Sequence, residues 1–194
     1  MSSEAQTPPI VAGRSCGECS LCCKLAALVE LNKPAGVWCR HCAPGRGGCT
    51  IYETRPPVCR NWHCNWILEQ GLGPEWKPLI CKMILYYENG GRRLCVRVDP
   101  SYAGAWRREP YYSQLKQFSR TGLEAQKQVV VYIRKRTIVV LPDKDVDLGD
   151  LEVGDQIWVG AQNTLTGKTW HAAKVPADVT PDQANAWLMS RATK

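Results

Sequence analysis

The cysteines that dominate this chain lie between residues 16 and 64, a stretch that begins CGECSLCCKLAALVELNKPAGVWCRHC (16–42) and ends GCTIYETRPPVCRNWHC (48–64). Eleven of the 194 residues are cysteine, and nine of them fall in this stretch. The rest of the chain holds Cys81 and Cys95. Nine thiols in so short a segment indicate either a disulfide framework or a metal site.

Three features of the cysteine pattern favour metal over disulfides. The total is odd, which would leave one thiol unpaired in a disulfide framework. The adjacent Cys22 and Cys23 point apart and rarely pair with each other. Cys16, Cys19 and Cys22 recur at every third residue, a spacing at which a tight loop turns its sulfurs toward one centre. We therefore predict metal-bound thiolates, with disulfides or buried free thiols that pack as small hydrophobes as the alternatives.

The cysteines also form a two-part motif. CxxCxxCC at residues 16–23 is followed by C-x-I-Y-E-x-R-P-P-x-C-R at residues 49–60. In both halves, and in their order, the chain resembles the YkgJ-type cysteine-cluster family, whose CxxCxxCC domain is described as chelating zinc or iron. The resemblance covers residues 16–66, about one quarter of the chain, and implies metal binding.

The resemblance also implies a set of ligands. Seven cysteines match the family motif, and Cys39 and Cys64 fit a subgroup pattern. The predicted metal ligands are Cys16, Cys19, Cys22, Cys23, Cys39, Cys42, Cys49, Cys59 and Cys64. Nine cysteines suffice for two four-ligand sites, with Cys22 or Cys23 to spare.

The identity of the metal stays open between two candidates. The even C-x2-C-x2-C triplet with a remote cysteine is similar to the loops that hold a [4Fe–4S] cluster, and we prefer this centre slightly. The pairs Cys16-x2-Cys19 and Cys39-x2-Cys42 also fit the spacing of a four-cysteine Zn²⁺ site. Thiolates suit both metals, so the softness of the ligands does not decide.

Basic and imidazole side chains accompany the cysteines. Arg55 and Arg60 match the family motif, and we predict that they contact the cofactor, because cations favour the thiolate form that binds metal. His41 and His63 each lie beside a cysteine and are alternative ligands or surface imidazoles.

The predicted fold is α+β: a small cysteine-rich metal-binding module with helices, then a β-hairpin and helix, then a small β-rich C-terminal part. We expect a flexible tail over 1–14, a cysteine-cluster domain over 15–128 and a β-rich domain over 129–194. Helices are predicted over 20–31, from Arg55 to about Gly71, over 110–120 and from Thr180 through Trp187. Strands are predicted over 79–87 and 92–99, joined by an Asn89-Gly90-Gly91 turn, and over 129–133, 137–141, 156–159 and 169–175. Loops are predicted over 35–48 and at the aspartates of 143–150, which we expect to be solvated, and Thr180 with Gln183 fits a capping box.

Composition excludes several classes of function. No apolar run is long enough for a transmembrane helix, and the first 14 residues lack a secretory signal, so we expect a cytoplasmic protein. The net charge of +7 is spread along the chain, and metal thiolates would reduce it, which gives no support to nucleic-acid binding. No phosphate loop or dinucleotide motif is present.

Three functional hypotheses remain. The first is a metal- or cluster-binding protein with a role in redox chemistry, sensing or metal handling. The second is a zinc-stabilised interaction module whose β-rich C-terminal part binds a protein partner. The third, which we favour least, is an enzyme similar to the flagellin lysine methylases, which carry a similar cysteine cluster.

Overall fold

The computed structural model describes residues 9–42, 48–165, 167–180, 182–184 and 186. The α-helices whose bounds are described are α1 (Leu21–Leu25), α2 (Pro57–Asn61), α3 (Asn65–Leu68), α4 (Pro78–Cys81) and α5 (Tyr111–Glu124). Its strands are β1 (Met83–Glu88), β2 (Arg93–Val98), β3 (Gln128–Ile133), β4 (Arg136–Val140), β5 (Asp145–Asp150), β6 (Gln156–Thr164) and β7 (Gly167–Val175). The predicted α+β class is confirmed. None of the described helices has the length and apolar character needed to cross a bilayer.

The chain divides into two compact units. The first contains the residues up to Tyr86 together with Val96–Trp106, and the second contains Tyr87–Cys95 and the residues from Arg107 onward. The boundary therefore crosses the β1–β2 hairpin, and neither unit is one continuous segment. The sequence-based division into 15–128 and 129–194 stays a prediction.

Helix α1 in the first unit is much shorter than the predicted helix over 20–31. At Ala26 the backbone becomes extended, with φ −73° and ψ 142°. The N–H of Leu28, which would continue the helix, instead donates to the carbonyl of Lys33 at 2.9 Å. The Lys33 ammonium in turn donates to the carbonyls of Lys24, at 3.2 Å, and Ala26, which the helix leaves unpaired. The contacts made by Lys33 thus end the helix at Leu25, although leucines continue at helical spacing beyond that residue.

The second predicted helix is interrupted. Trp62 has extended φ and ψ of −93° and 126°, which separates α2 from α3. Downstream, the predicted strand over 79–87 starts late, because Pro78 begins the short helix α4 and Lys82 ends it in the left-handed conformation at φ 63°. Cys81 therefore lies at the end of a helix, and the prediction that placed it on a strand is wrong.

The segment before α1 is tied to α3 and the residues that follow it. The N–H of Val11 donates to the carbonyl of Ile67 at 2.9 Å. The Arg14 guanidinium, in the stretch predicted to be a flexible tail, donates to the carbonyls of Trp66, Glu69 and Leu72. One arginine thus satisfies several backbone acceptors at the C-terminal end of a short helix.

Strands β1 to β5 form a sheet in the order β1-β2-β3-β4-β5, and β6 pairs with β7 in a separate hairpin. The predicted turn Asn89-Gly90-Gly91 is confirmed, and all three residues have positive φ, which glycine and asparagine tolerate best.

In the second unit, β3 and β4 pair antiparallel from Val129↔Val140 to Ile133↔Arg136. Valine-rich strands of this kind suit a sheet because β-branched side chains pack well on its faces.

From Asp145 to Asp150 the aspartate-rich segment is a strand, and its prediction as a solvated loop is wrong over these residues. Strand β5 pairs with β4, with a bulge between Thr137 and Ile138. Asp145 forms an ion pair with Lys116 at 2.8 Å, and Asp147 pairs with Arg136. Cationic partners distant in sequence thus allow acidic residues in a strand.

Helix α5 buries Tyr111, Leu115, Ser119 and Leu123 along one face, and it extends four residues beyond its predicted end. The core of the second unit gathers around Leu123, Val130, Val139 and Leu141, together with Ile157 of β6.

The chain end begins as predicted. Thr180 and Gln183 form the expected capping box, with the Thr180 N–H donating to Gln183 Oε1 at 2.9 Å. The predicted continuation through Trp187 and Met189 lies outside the described residues, as do residues 43–47 of the predicted loop.

Candidate metal centre

Backbone hydrogen bonds hold the two C-x2-C pairs of the first unit in tight turns. The N–H of Cys19 donates to the carbonyl of Cys16 at 2.7 Å, and that of Cys42 donates to Cys39 at 3.0 Å. Each C-x2-C pair is therefore closed into a tight turn, which places its two ends near each other.

Further backbone contacts join these turns. The N–H of Cys39 donates to the carbonyl of Cys23 at 3.0 Å, and Cys42 forms an isolated antiparallel bridge with Cys49. The main chain alone therefore joins cysteines as far apart in sequence as Cys23 and Cys39.

A cavity of about 180 Å³ lies inside the first unit, and cysteine is its most frequent lining residue. Eight of the nine predicted ligands line it: Cys16, Cys19, Cys22, Cys23, Cys39, Cys49, Cys59 and Cys64. Much of the remaining wall is apolar and includes Ile51, Trp62, Trp66 and Ile84. The cavity is therefore a sulfur-rich chamber with hydrophobic surroundings, which is the environment in which thiolate–metal bonds are shielded from water.

The ninth predicted ligand, Cys42, lies beside the cavity. It is buried, and its thiol is within hydrogen-bonding reach of Cys23 and Ser20. All nine cysteines of the motif are thus brought together in one region of the fold. All eleven cysteines of the chain are free thiols in the structure.

The thiols perturb one another strongly. A hydrogen bond from Cys22 lowers the pKa of Cys23 to about 6, and Cys42, Lys33 and Arg55 act in the same direction, while burial opposes them. The same hydrogen bond, with burial, raises the pKa of Cys22 well above its usual range. Cys23 is therefore the cysteine best prepared to be a thiolate before metal arrives.

Other ligands would release protons on binding metal. Burial raises the pKa of Cys64 to about 11, and it also raises the pKa values of Cys16 and Cys59. Neighbouring thiols add to the effect, because several negative charges cannot share a small cavity without a cation. A bound metal ion would supply that cation and make the set of thiolates stable.

Arg55 is a cation in the cavity wall. Its guanidinium stacks on the Tyr52 ring at 3.8 Å, and its charge lowers the pKa values of Cys16, Cys23 and Cys59. Its buried Nε–H finds no acceptor within the described part of the chain. An N–H donor left unpaired in the wall fits a sulfur-based group inside the cavity. Arg60, in contrast, is exposed and is absent from the described lining.

Both histidines of the motif also line the cavity. His41 and His63 contribute to its wall, and the buried Nδ1 of His63 has no hydrogen-bond partner among the described residues. His63 thus adds a nitrogen donor to a predominantly sulfur set, which a metal of borderline softness accepts.

The remaining two cysteines belong to the hydrophobic cores. Cys81 and Cys95 are fully buried, and neither is among the residues that line the cavity. The Cys81 thiol donates to the carbonyls of Trp76 and Met83, and burial raises its pKa to about 12. These two positions behave as packed thiols.

The cavity suits a metal because of the types of side chain that line it. These side chains do not already form a complete coordination shell. Among the described residues, no three Cys, His, Asp or Glu side chains are already arranged to hold an ion. The thiols line the walls of the cavity with space between them. The ligand type, the enclosure and the cationic surroundings nevertheless suit an iron–sulfur cluster or zinc.

Nothing in the sequence indicates Lys33. This lysine is 7% exposed; burial lowers its pKa, and the thiols of Cys39, Cys23 and Cys22 raise it. It lies in an ordinary Asn-Lys-Pro loop sequence, and it reaches the site because the chain turns back on α1. Its role depends on tertiary structure that spacing does not encode.

Comparisons with known proteins give no match: no family model, no curated protein and no solved structure is significantly similar to this chain.

Proposed function

We propose that this protein holds an inorganic centre through cysteine thiolates, with an iron–sulfur cluster preferred over zinc. The observation that carries the proposal is the single cavity lined by eight cysteines. A structural role for these residues alone would place them in packed cores, as happens at Cys81 and Cys95. We further propose that the resemblance to YkgJ-type proteins reflects this shared chemistry, and that the protein works in the reducing cytoplasm.

The volume of the cavity supports a polynuclear group. A single Zn²⁺ lies about 2.3 Å from each thiolate and leaves no free space between its ligands. A cavity of about 180 Å³ exceeds what one water-sized group needs by roughly tenfold. A cluster of several iron and sulfide ions uses that space, and Arg55 offers an N–H donor to its sulfur atoms.

Zinc remains the second candidate because of the two closed C-x2-C turns. Cys16–Cys19 and Cys39–Cys42 each form the short turn that four-cysteine zinc sites use. In that case the metal stabilises the first unit and supplies no redox chemistry.

Anaerobic reconstitution tests the proposal. The full chain is incubated with Fe²⁺ and sulfide, desalted and examined by visible absorption, with a parallel sample loaded with Zn²⁺ alone. We expect broad charge-transfer absorption that disappears on adding a strong chelator. Stable zinc binding without any coloured product would select the zinc alternative. Failure to retain either metal would contradict the proposal.

A further inference from the structure

Lys33 is a buried lysine immediately behind the cavity wall. Lys33 lies where the chain turns back after α1. Its ammonium donates to the carbonyls of Lys24 at 3.2 Å, Pro34 at 3.1 Å and Ala26. Ala26 and Leu28, the bridge partner of Lys33, both line the cavity. All three N–H donors of the ammonium are therefore used, and the group is held in one place.

The charge of Lys33 lacks the carboxylate that a buried lysine normally requires. Elsewhere in the chain, Lys24 pairs with Asp99 at 2.6 Å, and Lys116 pairs with Asp145 at 2.8 Å. Within the described ranges, no Asp or Glu lies within ion-pair distance of Lys33. Backbone carbonyls satisfy its hydrogen bonds but carry no net charge, so burying the ammonium is unfavourable unless an anion is close.

Cysteine thiols lie close enough to Lys33 to act on its charge. Burial lowers the pKa of Lys33, while Cys39, Cys23 and Cys22 raise it and Arg97 acts against them. All three cysteines line the cavity. Thiolates there would neutralise the lysine, and the lysine would offset their mutual repulsion.

We infer that Lys33 is the built-in counter-ion of the metal centre: its buried ammonium balances the negative charge of the thiolate-bound group on the side formed by Cys22, Cys23 and Cys39. The inference rests on the proposed function and adds that the bound group is anionic. A four-thiolate zinc site and an oxidised [4Fe–4S] centre both meet this requirement. Lys33 acts as a positioning residue, since its charge reaches the metal through the ligands.

The test compares three variants of the full chain, each prepared anaerobically. Lys33→Gln removes the charge but keeps N–H donors, and Lys33→Arg keeps the charge. Lys116→Gln is the matched control, a lysine with side-chain exposure of 12% that donates to a backbone carbonyl but has its own carboxylate. Each protein is loaded with Zn²⁺, and separately with Fe²⁺ and sulfide. Transfer of metal to a chelator and the reduction potential of any cluster are measured.

We expect Lys33→Gln to lose metal about tenfold faster than wild type, the scale at which residues supporting metal ligands act. Its cluster potential should become more negative, because reduction then adds an electron without a nearby cation. Lys33→Arg and Lys116→Gln should both stay close to wild type.

Equal metal retention and equal potential in Lys33→Gln and wild type would overturn the inference. Equal loss in Lys33→Gln and Lys33→Arg would also overturn it, because the residue would then act only as a cap for α1. If Lys33→Gln does not fold, Lys33→Met replaces it, and failure of both neutral variants to reach the degree of folding that the metal-free wild type shows assigns Lys33 to folding and rejects the inference. A wild-type protein that binds neither metal is a different result, since it rejects the proposed function itself.

Discussion

The two units of this protein satisfy their buried groups in opposite ways. In the second unit, aliphatic side chains fill the core, and the half-buried Asp145 is matched by Lys116 and by the hydroxyl of Tyr112. In the first unit, the described helices before β1 have four or five residues, and buried thiols surround a cavity. Lys33 has no carboxylate partner among the described residues. Helices this short need tertiary support, which supports our proposal that a bound group completes the first unit, whereas the second is packed by its own side chains.

Metal removal should produce the largest difference in behaviour between the two units. A chelator with a thiol reductant should abolish amide-exchange protection in α1, α2 and α3, because metal-binding energy is folding energy in a site of this kind. Strands β3 and β4 should keep their protection. Hydrogen exchange followed by mass spectrometry measures both regions in one sample. Unchanged protection of α1–α3 after complete metal removal would break the comparison.

Ligand substitutions should have the next largest effect. Cys19→Ser and Cys59→Ser each remove a thiolate from the cavity, and we expect metal affinity to fall by more than about 100-fold, beyond the range for supporting residues. Cys95→Ala is the control, since this thiol is buried outside the cavity lining. Metal content per chain, measured by elemental analysis, should fall in the first two variants alone. Wild-type content in both serine variants would show that the ligand assignment is wrong.

A core substitution in the second unit should show the reverse pattern. Val139 is fully buried on β4, and Val139→Ala should lower the free energy of unfolding by about 2 kcal/mol through lost packing. Metal content should remain that of wild type, because the core of this unit is made of side chains alone. Denaturant titration and elemental analysis of the same preparation check both statements. Loss of metal in Val139→Ala would mean that the units do not differ as described.

The smallest effect concerns the exposed pair Arg136–Asp147. The hydrogen bond from Arg136 lowers the pKa of Asp147, so the pair stabilises the folded state above the ordinary aspartate pKa and loses this contribution as pH falls through the lowered value. Arg136→Gln should return the Asp147 pKa toward its usual range. NMR titration of the carboxyl carbon follows this directly, and an unchanged pKa would show that the pair is not formed in solution.

Much of the second unit follows from local sequence. The β-branched runs of β3 and β4 and the Asn89-Gly90-Gly91 turn lie where their local preferences place them. Local sequence does not predict strand β5, because its aspartates are neutralised by Lys116 and Arg136, and such pairing is a property of tertiary structure. Acidic composition alone therefore indicated a loop.

In the first unit, spacing predicted which cysteines gather but not what surrounds them. The helix over 20–31 ends early because Lys33 returns to its carbonyls, a contact that no periodicity reports. Motif position gave Arg55 and Arg60 equal weight, yet Arg55 lines the cavity and Arg60 is exposed. The sequence thus predicts which side chains are candidate ligands. The positions of the cations that balance their charge depend on how the loops fold.

Elemental and sulfide analysis of the protein as isolated under anaerobic conditions tests the central claim most directly. We expect iron with an equal amount of inorganic sulfide, or stoichiometric zinc in the alternative form, with the cavity cysteines present as thiols once the metal is removed. Protein that carries no bound metal, and whose cavity cysteines are joined in disulfides by mass spectrometry, would contradict the account.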